Sequence, residues 1–253
     1  MSALSVIVIT KNEESNIREC LTSVCWAEEI VLVDGGSEDQ TVELARSLGA
    51  KVFERPWDGY GAAKNYALSH CTGEWILWLD ADERVTEELA NEISQRLRSN
   101  DTRFNGFQIA RRAYFLGRWM KHSGWYPGYV LRLFRKGTGR FSERKVHEQL
   151  VVEGEIGRLK FDLLHFTDPN LFHYFEKFNR YSSLAAEELG EHGQRFDFLQ
   201  LLVRPPWVFF KMYLIRAGFL DGMQGFILSV LSACYVFTKY AKLWELVHSS
   251  RRS

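Results

Sequence analysis

The sequence predicts an α/β fold, a parallel sheet with helices on both faces, followed by an amphipathic helical tail of membrane-associating character. Two observations lead there. Over roughly the first 100 residues, short apolar β-rich runs alternate with helical patterns and short loops, as in chains of βαβ units. From about Phe196 the chain becomes very apolar, with Trp, Tyr, Lys and Arg interspersed, a composition suited to helices lying at a bilayer surface.

The elements follow in order. Leu4–Thr10 (LSVIVIT) is nearly all apolar and β-branched, as strands buried on both faces are. Glu14–Val24 puts Ile17, Leu21 and Val24 on one helical face. Glu29–Asp34 reads as a second strand, and Thr41–Leu48 as a helix closed by Gly49. Lys51–Glu54 is a short third strand, Gly61–His70 a helix, and Glu74–Asp80 (EWILWLD) a fourth strand. Thr86–Leu97 is amphipathic, with Thr86 as its N-cap. Beyond Phe104 shorter β-like pieces appear, GFQIAR, YVLRLFR and HEQLVVEG, rich in aromatics and arginine. In the tail, the longest uncharged stretch is Gly222–Thr238, marginal for a span of about 20 apolar residues. Pro205-Pro206 is expected to break the preceding helix. The organisation expected is therefore 1–103, 104–194 and 195–253.

Charge balances overall, with 32 basic and 32 acidic residues, but unevenly. The last 59 residues hold eight Lys/Arg against three Asp/Glu, and Arg111 to Lys145 holds ten against Glu143 alone. Such a stretch points to an anionic partner. The cysteines, Cys20, Cys25, Cys71 and Cys234, form no C-x-x-C pair, and the first apolar run is too short for a signal peptide. A reducing cytoplasm with free thiols is the simplest compartment.

Chemistry gathers at the strand ends. Strand one ends in Thr10-Lys11-Asn12-Glu13, strand two in Asp34-Gly35-Gly36, and strand four in Asp80-Ala81-Asp82-Glu83. In a parallel sheet these ends share one edge, where ligands bind. G-x-G-x-x-G is absent after strand one, as is a Walker A sequence, which disfavours dinucleotide and P-loop readings. Two carboxylates spaced i, i+2 at a strand end suit Mg²⁺ or Mn²⁺, whose shell substrate phosphates and water complete.

SVIVITKNEE, IVLVDGGSEDQT, AAKNYAL and GEWILWLDADE, in that order, resemble the nucleotide-binding half of family 2 inverting glycosyltransferases, which have the GT-A fold. YPGYVLRLFRK, VHEQLVVEG and LLHFTD resemble the branch that adds β-1,4-glucose to heptose of the bacterial lipopolysaccharide core. The resemblance implies a nucleotide-sugar donor, UDP-glucose, bound by Thr10, Asn12, Glu13, Asp34, Lys64, Asp80 and Ala81. Asp34 would accept from the base, and Lys64 would face the base or diphosphate. Asp82 would be the direct metal ligand, and His165 a late ligand. Glu83 would be ancillary, behind the metal or as a first-turn helix charge. Glu148 is the favoured general base, with Glu143, Glu153 and Asp162 as alternatives; the Glu-Asp pair common in the family at this step is absent. Trp125, Tyr126, Arg132 and His147 would contact the acceptor, with Arg132 alternatively on the donor diphosphate. Arg111, Arg112, Arg118, Lys121, Arg135 and Lys136 would meet acceptor phosphates, and Trp119 would stack on its sugars. The implied partners are this lipid-linked glycan and a membrane surface, not nucleic acid, with the enzyme peripheral to the cytoplasmic face of the inner membrane. The rival readings are transfer to a polyprenyl-type carrier, a non-catalytic nucleotide-binding module and, more weakly, a nucleotidyltransferase.

Overall fold

β1 (Leu4–Thr10) is buried at all seven positions and pairs in parallel with β2 (Glu29–Asp34) on one side and β4 (Trp75–Asp80) on the other. The structure, a computed structural model, describes residues 3–99, 102–142, 149–194 and 196–249. Residues Met1–Arg112 with Gly128–His165 form one compact unit, and Ala113–Pro127 with Phe166–Ser253 form another.

In the first unit, α1 (Glu14–Thr22), α2 (Thr41–Ser47), β3 (Lys51–Glu54) and α3 (Tyr60–Ser69) connect the parallel strands. β5 (Glu83–Val85), α4 (Glu87–Arg98) and β6 (Phe104–Phe115) follow. β7 (Arg118–Trp119) belongs to the other unit, and β8 (Gly128–Arg135), β9 (Gly139–Phe141), β10 (Leu150–Val152), β11 (Glu155–Arg158) and β12 (Leu163–Asp168) complete the strands. The main sheet runs β3-β2-β1-β4-β8-β6-β12-β5, while β9 and β10 form a separate ribbon. The parallel block stops at β4, because β8 pairs with it antiparallel.

Strand alternation divides the core. Leu4, Val6 and Val8 pack on one face with Ile17 and Leu21 of α1 and Leu89 and Ile93 of α4. Ile7 and Ile9 pack on the other with Ala63 and Ala67 of α3. Each such aliphatic side chain contributes about 1.5–3 kcal/mol of burial. The local signals hold: Gly49 follows α2 with φ +84°, and Thr86 Oγ1 accepts from the Leu89 amide at 3.2 Å. Glu83 differs from a first-turn helix charge: it lies fully buried in β5, a strand whose partner is β12.

In the second unit, α5 (Leu171–Glu191) and α6 (Phe198–Phe210) both pack on α7 (Gly222–Ser249). A π-helical turn, Lys211–Ile215, and a 3₁₀ turn, Gly218–Asp221, join α6 to α7. The expected break at Pro205-Pro206 does not occur, since both prolines lie inside α6. Each removes one N–H, so the carbonyls four residues back, of Leu201 and Leu202, lose their intrahelical donors, but the helix keeps its remaining bonds and its packing on α7. Gly218–His248 is long and apolar enough to cross a membrane by length and composition, its most apolar 18 residues having a mean hydropathy of 1.4.

A buried carboxylate ties the amino-terminal edge of the sheet together. Glu29 accepts from Ser5 Oγ at 2.5 Å, Lys51 Nζ at 2.6 Å and the Thr72 amide at 2.8 Å. Burial opposes its charge, but these donors prevail and hold its pKa at about 2. The depressed pKa makes its contribution fully present above the ordinary value of 4.5 and lost as pH falls toward 2. Glu29→Gln is expected to lower unfolding free energy by about 3 kcal/mol at pH 7. Urea titrations of both proteins should show that gap shrinking by roughly half or more at pH 3.

Candidate active site

The parallel register sets Thr10 opposite Asp34 and Ile9 opposite Asp80, so β1, β2 and β4 deliver their polar ends to one edge. Two clusters stand there, one on each side of β1.

The first is built around Asp34, which is 1% exposed. Its carboxylate accepts from Thr10 Oγ1 at 3.0 Å, Ser37 Oγ at 2.5 Å, and the Gly36 and Ser37 amides at 2.9 and 2.7 Å. Asp34 therefore organises its own turn. A Cβ on Gly35 would lie 2.5 Å from the Trp57 ring, so only glycine lets the turn close on that indole. Asn12, in the left-handed region at φ 56°, fastens the loop after β1 to the same turn. Its amide donates to Ser37 Oγ and its Oδ1 accepts from the Glu38 amide, both at 2.8 Å. The Glu13 amide donates to Thr41 Oγ1 at 2.8 Å, while its carboxylate accepts from Asn16 at 2.9 Å.

The second cluster centres on Arg132 of β8, which is 1% exposed. Its Nη2 donates to Asp80 Oδ2 at 2.7 Å and Glu83 Oε1 at 2.6 Å. Glu83 Oε2 in turn accepts from the Asp80 amide at 3.1 Å. The guanidinium carbon lies 3.4 Å from the Trp78 ring centroid and Lys64 Nζ lies 3.9 Å from it. Lys64 is buried rather than exposed on its helix, and its Nζ is 4.0 Å from Asp80 Oδ1. Two cations, two carboxylates and one indole thus share a largely buried patch, where charge–charge and cation–π attraction outweigh their values in water. Burial alone would raise the Asp80 carboxyl, but Arg132 and Lys64 hold it well below the usual range. Burial pushes Glu83 up, with Asp80 adding to the rise and Arg132 opposing it. The two carboxylates overcome burial at Arg132 and raise it further, so the guanidinium stays charged.

Asp82 lies on the short Ala81-Asp82 link between β4 and β5. β5 pairs with β12 so that Glu83 stands opposite His165, and His165 Nε2 comes within 3.4 Å of Asp82 Oδ2. Residues 83 places apart therefore meet as one oxygen and one imidazole nitrogen. That pair suits a divalent ion whose remaining positions are filled by phosphate and water. Ala81 is buried, and its carbonyl accepts from Arg84 Nη1 at 3.2 Å.

The residues expected at the acceptor fall in several places. Arg132 is not on an exposed basic surface but beside Asp80. Trp125 and Tyr126 lie in the other unit, edge-on to Phe115 and Trp119 respectively. His147 and Glu148 lie outside the described residues, as does Glu143. Glu153 is exposed, and Asp162 accepts from Arg112 Nη2 at 3.0 Å. The basic run is not one cationic face: Arg135 pairs with Glu74, and Lys136 donates to the Cys71 carbonyl. Trp78 and Trp57 escaped the sequence reading. Both look like core residues in sequence, and only Trp78's position two residues before Asp80 hinted otherwise.

The family model for "Glycosyl transferase family 2" matches residues 5–161. The chain is 35% identical to the lipopolysaccharide core biosynthesis glycosyltransferase LpsC of Rhizobium meliloti (strain 1021), over 96% of this chain and 92% of that protein. It is 33% identical to an uncharacterized glycosyltransferase of Rickettsia typhi, over 99% and 90%. Among solved structures, the mannosyltransferase PcManGT from Pyrobaculum calidifontis, in complex with GDP-Man and Mn²⁺, superposes with a TM-score of 0.58 at 15% identity, covering 96% of this chain and 87% of that one. That likeness is one of fold.

Arg132→Met should destabilise the protein by about 3–5 kcal/mol, since it strands buried carboxylate charge. Glu83→Gln combined with Arg132→Met should cost less than the sum of the single changes, read by urea denaturation in a double-mutant cycle.

Proposed function

Because the chain belongs to glycosyl transferase family 2, we propose that it is a metal-dependent inverting glycosyltransferase that moves glucose from UDP-glucose to the inner core of lipopolysaccharide. The observation that carries the donor half is the convergence of Asp34, Asp80 and Asp82 at the carboxyl ends of parallel strands flanking β1. The lipopolysaccharide acceptor rests on the near full-length relationship to LpsC. The identity of the sugar and of the nucleotide rests on the resemblance of the sequence motifs alone.

In this reading residues 1–103 bind the donor, 104–194 supply the acceptor site and base, and 195–253 dock the enzyme on a membrane. Asp34 accepts from the base in place of the rotatable Ser37 hydroxyl that now occupies it, Thr10, Asn12 and Glu13 line the nucleotide pocket, and Asp80 and Ala81 approach the ribose, with a metal-bound water as the alternative for Asp80. Asp82 and His165 hold Mg²⁺ or Mn²⁺, which supplies positive charge against the diphosphate leaving group. Lys64 and Arg132 add fixed positive charge beside Asp80, so charge developing on the departing diphosphate meets cations already in place. Glu148 takes the proton of the acceptor hydroxyl as its oxygen bonds to the anomeric carbon and the carbon–phosphate oxygen bond breaks on the opposite face. His147, Trp125 and Tyr126 contact the acceptor.

Membrane docking is supported by apolar side chains exposed on α6 and the turns after it. Leu199, Leu202, Val203, Trp207, Leu214 and Ile215 are all about half exposed or more. A soluble surface rarely gathers so many, and aromatics mixed with cations suit the interface. The proposed location is the cytoplasmic face of the inner membrane, with the protein peripheral to it.

The deciding experiment incubates purified protein, Mg²⁺ or Mn²⁺ and truncated lipopolysaccharide with a panel of nucleotide sugars, read by mass. UDP-glucose should add one hexose, and a different productive donor would replace the sugar assignment. Asp82→Ala should abolish transfer while the thermal melt stays that of a folded protein; normal turnover would remove Asp82 from the metal. Glu148→Gln should keep donor affinity but lower kcat by roughly 10²–10⁴-fold. Leu214→Asn with Ile215→Asn should shift the protein from the membrane pellet toward the supernatant.

A further inference from the structure

In the second unit Ser123, Gly124, Val208, Lys211, Met212 and Arg216 line an open cleft of about 280 Å³. Ser123 is 4% exposed and sits in the left-handed region at φ 58°. Its amide donates to the Arg216 carbonyl at 2.9 Å, which fixes it against the π-helical turn. Its hydroxyl, however, is buried without a hydrogen-bond partner. The Gly218 backbone closes one side of that hydroxyl, since a Cβ there would lie 2.6 Å from Ser123 Oγ. Buried hydroxyls are almost always satisfied, so an unpartnered one on a residue that lines the cleft leaves a donor for a ligand acceptor.

The charge of the cleft specifies that acceptor. Lys211 and Arg216 are both exposed, and neither has an ion-pair partner among the described residues. The acid on the adjoining 3₁₀ turn, Asp221, is 1% exposed and already engaged. It accepts from the Lys121 and His122 amides and lies 2.9 Å from His122 Nδ1. Among the described residues no carboxylate lines the cleft. One hydroxyl donor, one ammonium and one guanidinium make a set for a phosphate ester.

The surroundings favour a lipid as the source of that phosphate. Phe210, Leu214, Ile215 and Phe219, each within three residues of one of the two cations, are 45%, 49%, 56% and 48% exposed. A soluble phosphate makes no use of such a surround, whereas the acyl chains of a phospholipid bury it.

We propose that the Ser123–Lys211–Arg216 cleft binds the phosphate of an anionic phospholipid headgroup, with the lipid's chains against Phe210, Leu214, Ile215 and Phe219. This rests on the membrane-docking reading above and names the lipid chemistry used. The headgroup then sets how the second unit sits on the bilayer, beyond the non-directional attraction of apolar surface.

The test is co-sedimentation of the full chain with vesicles of phosphatidylcholine alone, or with phosphatidylglycerol added. The intact protein should partition at least tenfold more strongly onto the anionic vesicles. Lys211→Gln with Arg216→Gln should lose that preference and keep binding to neutral vesicles. Ser123→Ala changes no charge, so general attraction to an anionic surface leaves it at the intact protein's affinity. The cleft requires it to bind anionic vesicles roughly three- to tenfold more weakly, with an unchanged thermal melt. Ser123→Ala binding as the intact protein does, or equal partition of the intact protein onto both vesicles, overturns the cleft and leaves membrane docking standing. Absence of binding to either vesicle overturns docking and the cleft with it. Millimolar glycerol phosphate should leave anionic-vesicle binding unchanged, and full displacement by it would assign the cleft to a soluble phosphate instead.

Discussion

Arg132 is the constraint on which the candidate site depends. Strand β4 ends in a run holding two acids, Asp80 and Glu83, within hydrogen-bond reach of one guanidinium. Two carboxylates so close, one fully buried, repel each other and lose hydration. A cation delivered by β8 resolves both difficulties, and the antiparallel entry of β8 beside β4 places it there. The same pairing seats Trp78 under the guanidinium and lets its indole N–H donate to the Leu131 carbonyl at 2.7 Å. The chain reversal that ends the parallel block is thereby also the step that makes the acidic strand end stable.

This arrangement divides labour among the acids. Glu83 turns inward, bonding Arg132 and the Asp80 amide, and is a positioning residue. Asp80 keeps one oxygen on Arg132 and remains 37% exposed, so it faces both the network and the open edge. Asp82, on the link beyond β4, meets His165. Three acids in four residues thus stand in three electrostatic settings, and position in the sheet, not residue type, separates them.

The second unit obeys a different balance. Among the described residues its buried apolar clusters are small, Phe115, Met120 and Leu228 in one and Ala186, Tyr240 and Leu243 in the other. Much of its apolar surface stays exposed, and only 22% of the most apolar window of Gly218–His248 is buried. This exposed apolar surface sits beside Lys211 and Arg216, which have no ion-pair partner among the described residues, and the membrane docking proposed above would cover it.

Local signals made most of the parallel block legible. Apolar strand runs, the Thr86 cap and the glycine after α2 act over a few residues, so β1 to β4 and their helices fall within one or two residues of expectation. The strand-end acids were legible for the same reason, since a polar cluster after an apolar run marks a sheet edge. What tertiary structure decided depends on distant partners. β5 is a strand only because β12, some 80 residues later, pairs with it. α6 passes through Pro205-Pro206 because packing on α7 outweighs two missing donors. Arg132 read as part of a basic surface because charge counts carry no direction, and burial then turned it inward to Asp80 and Glu83. Sequence alone determined which residues could bear the chemistry. The fold decided which of them face one another, because electrostatics and desolvation act across space rather than along the chain.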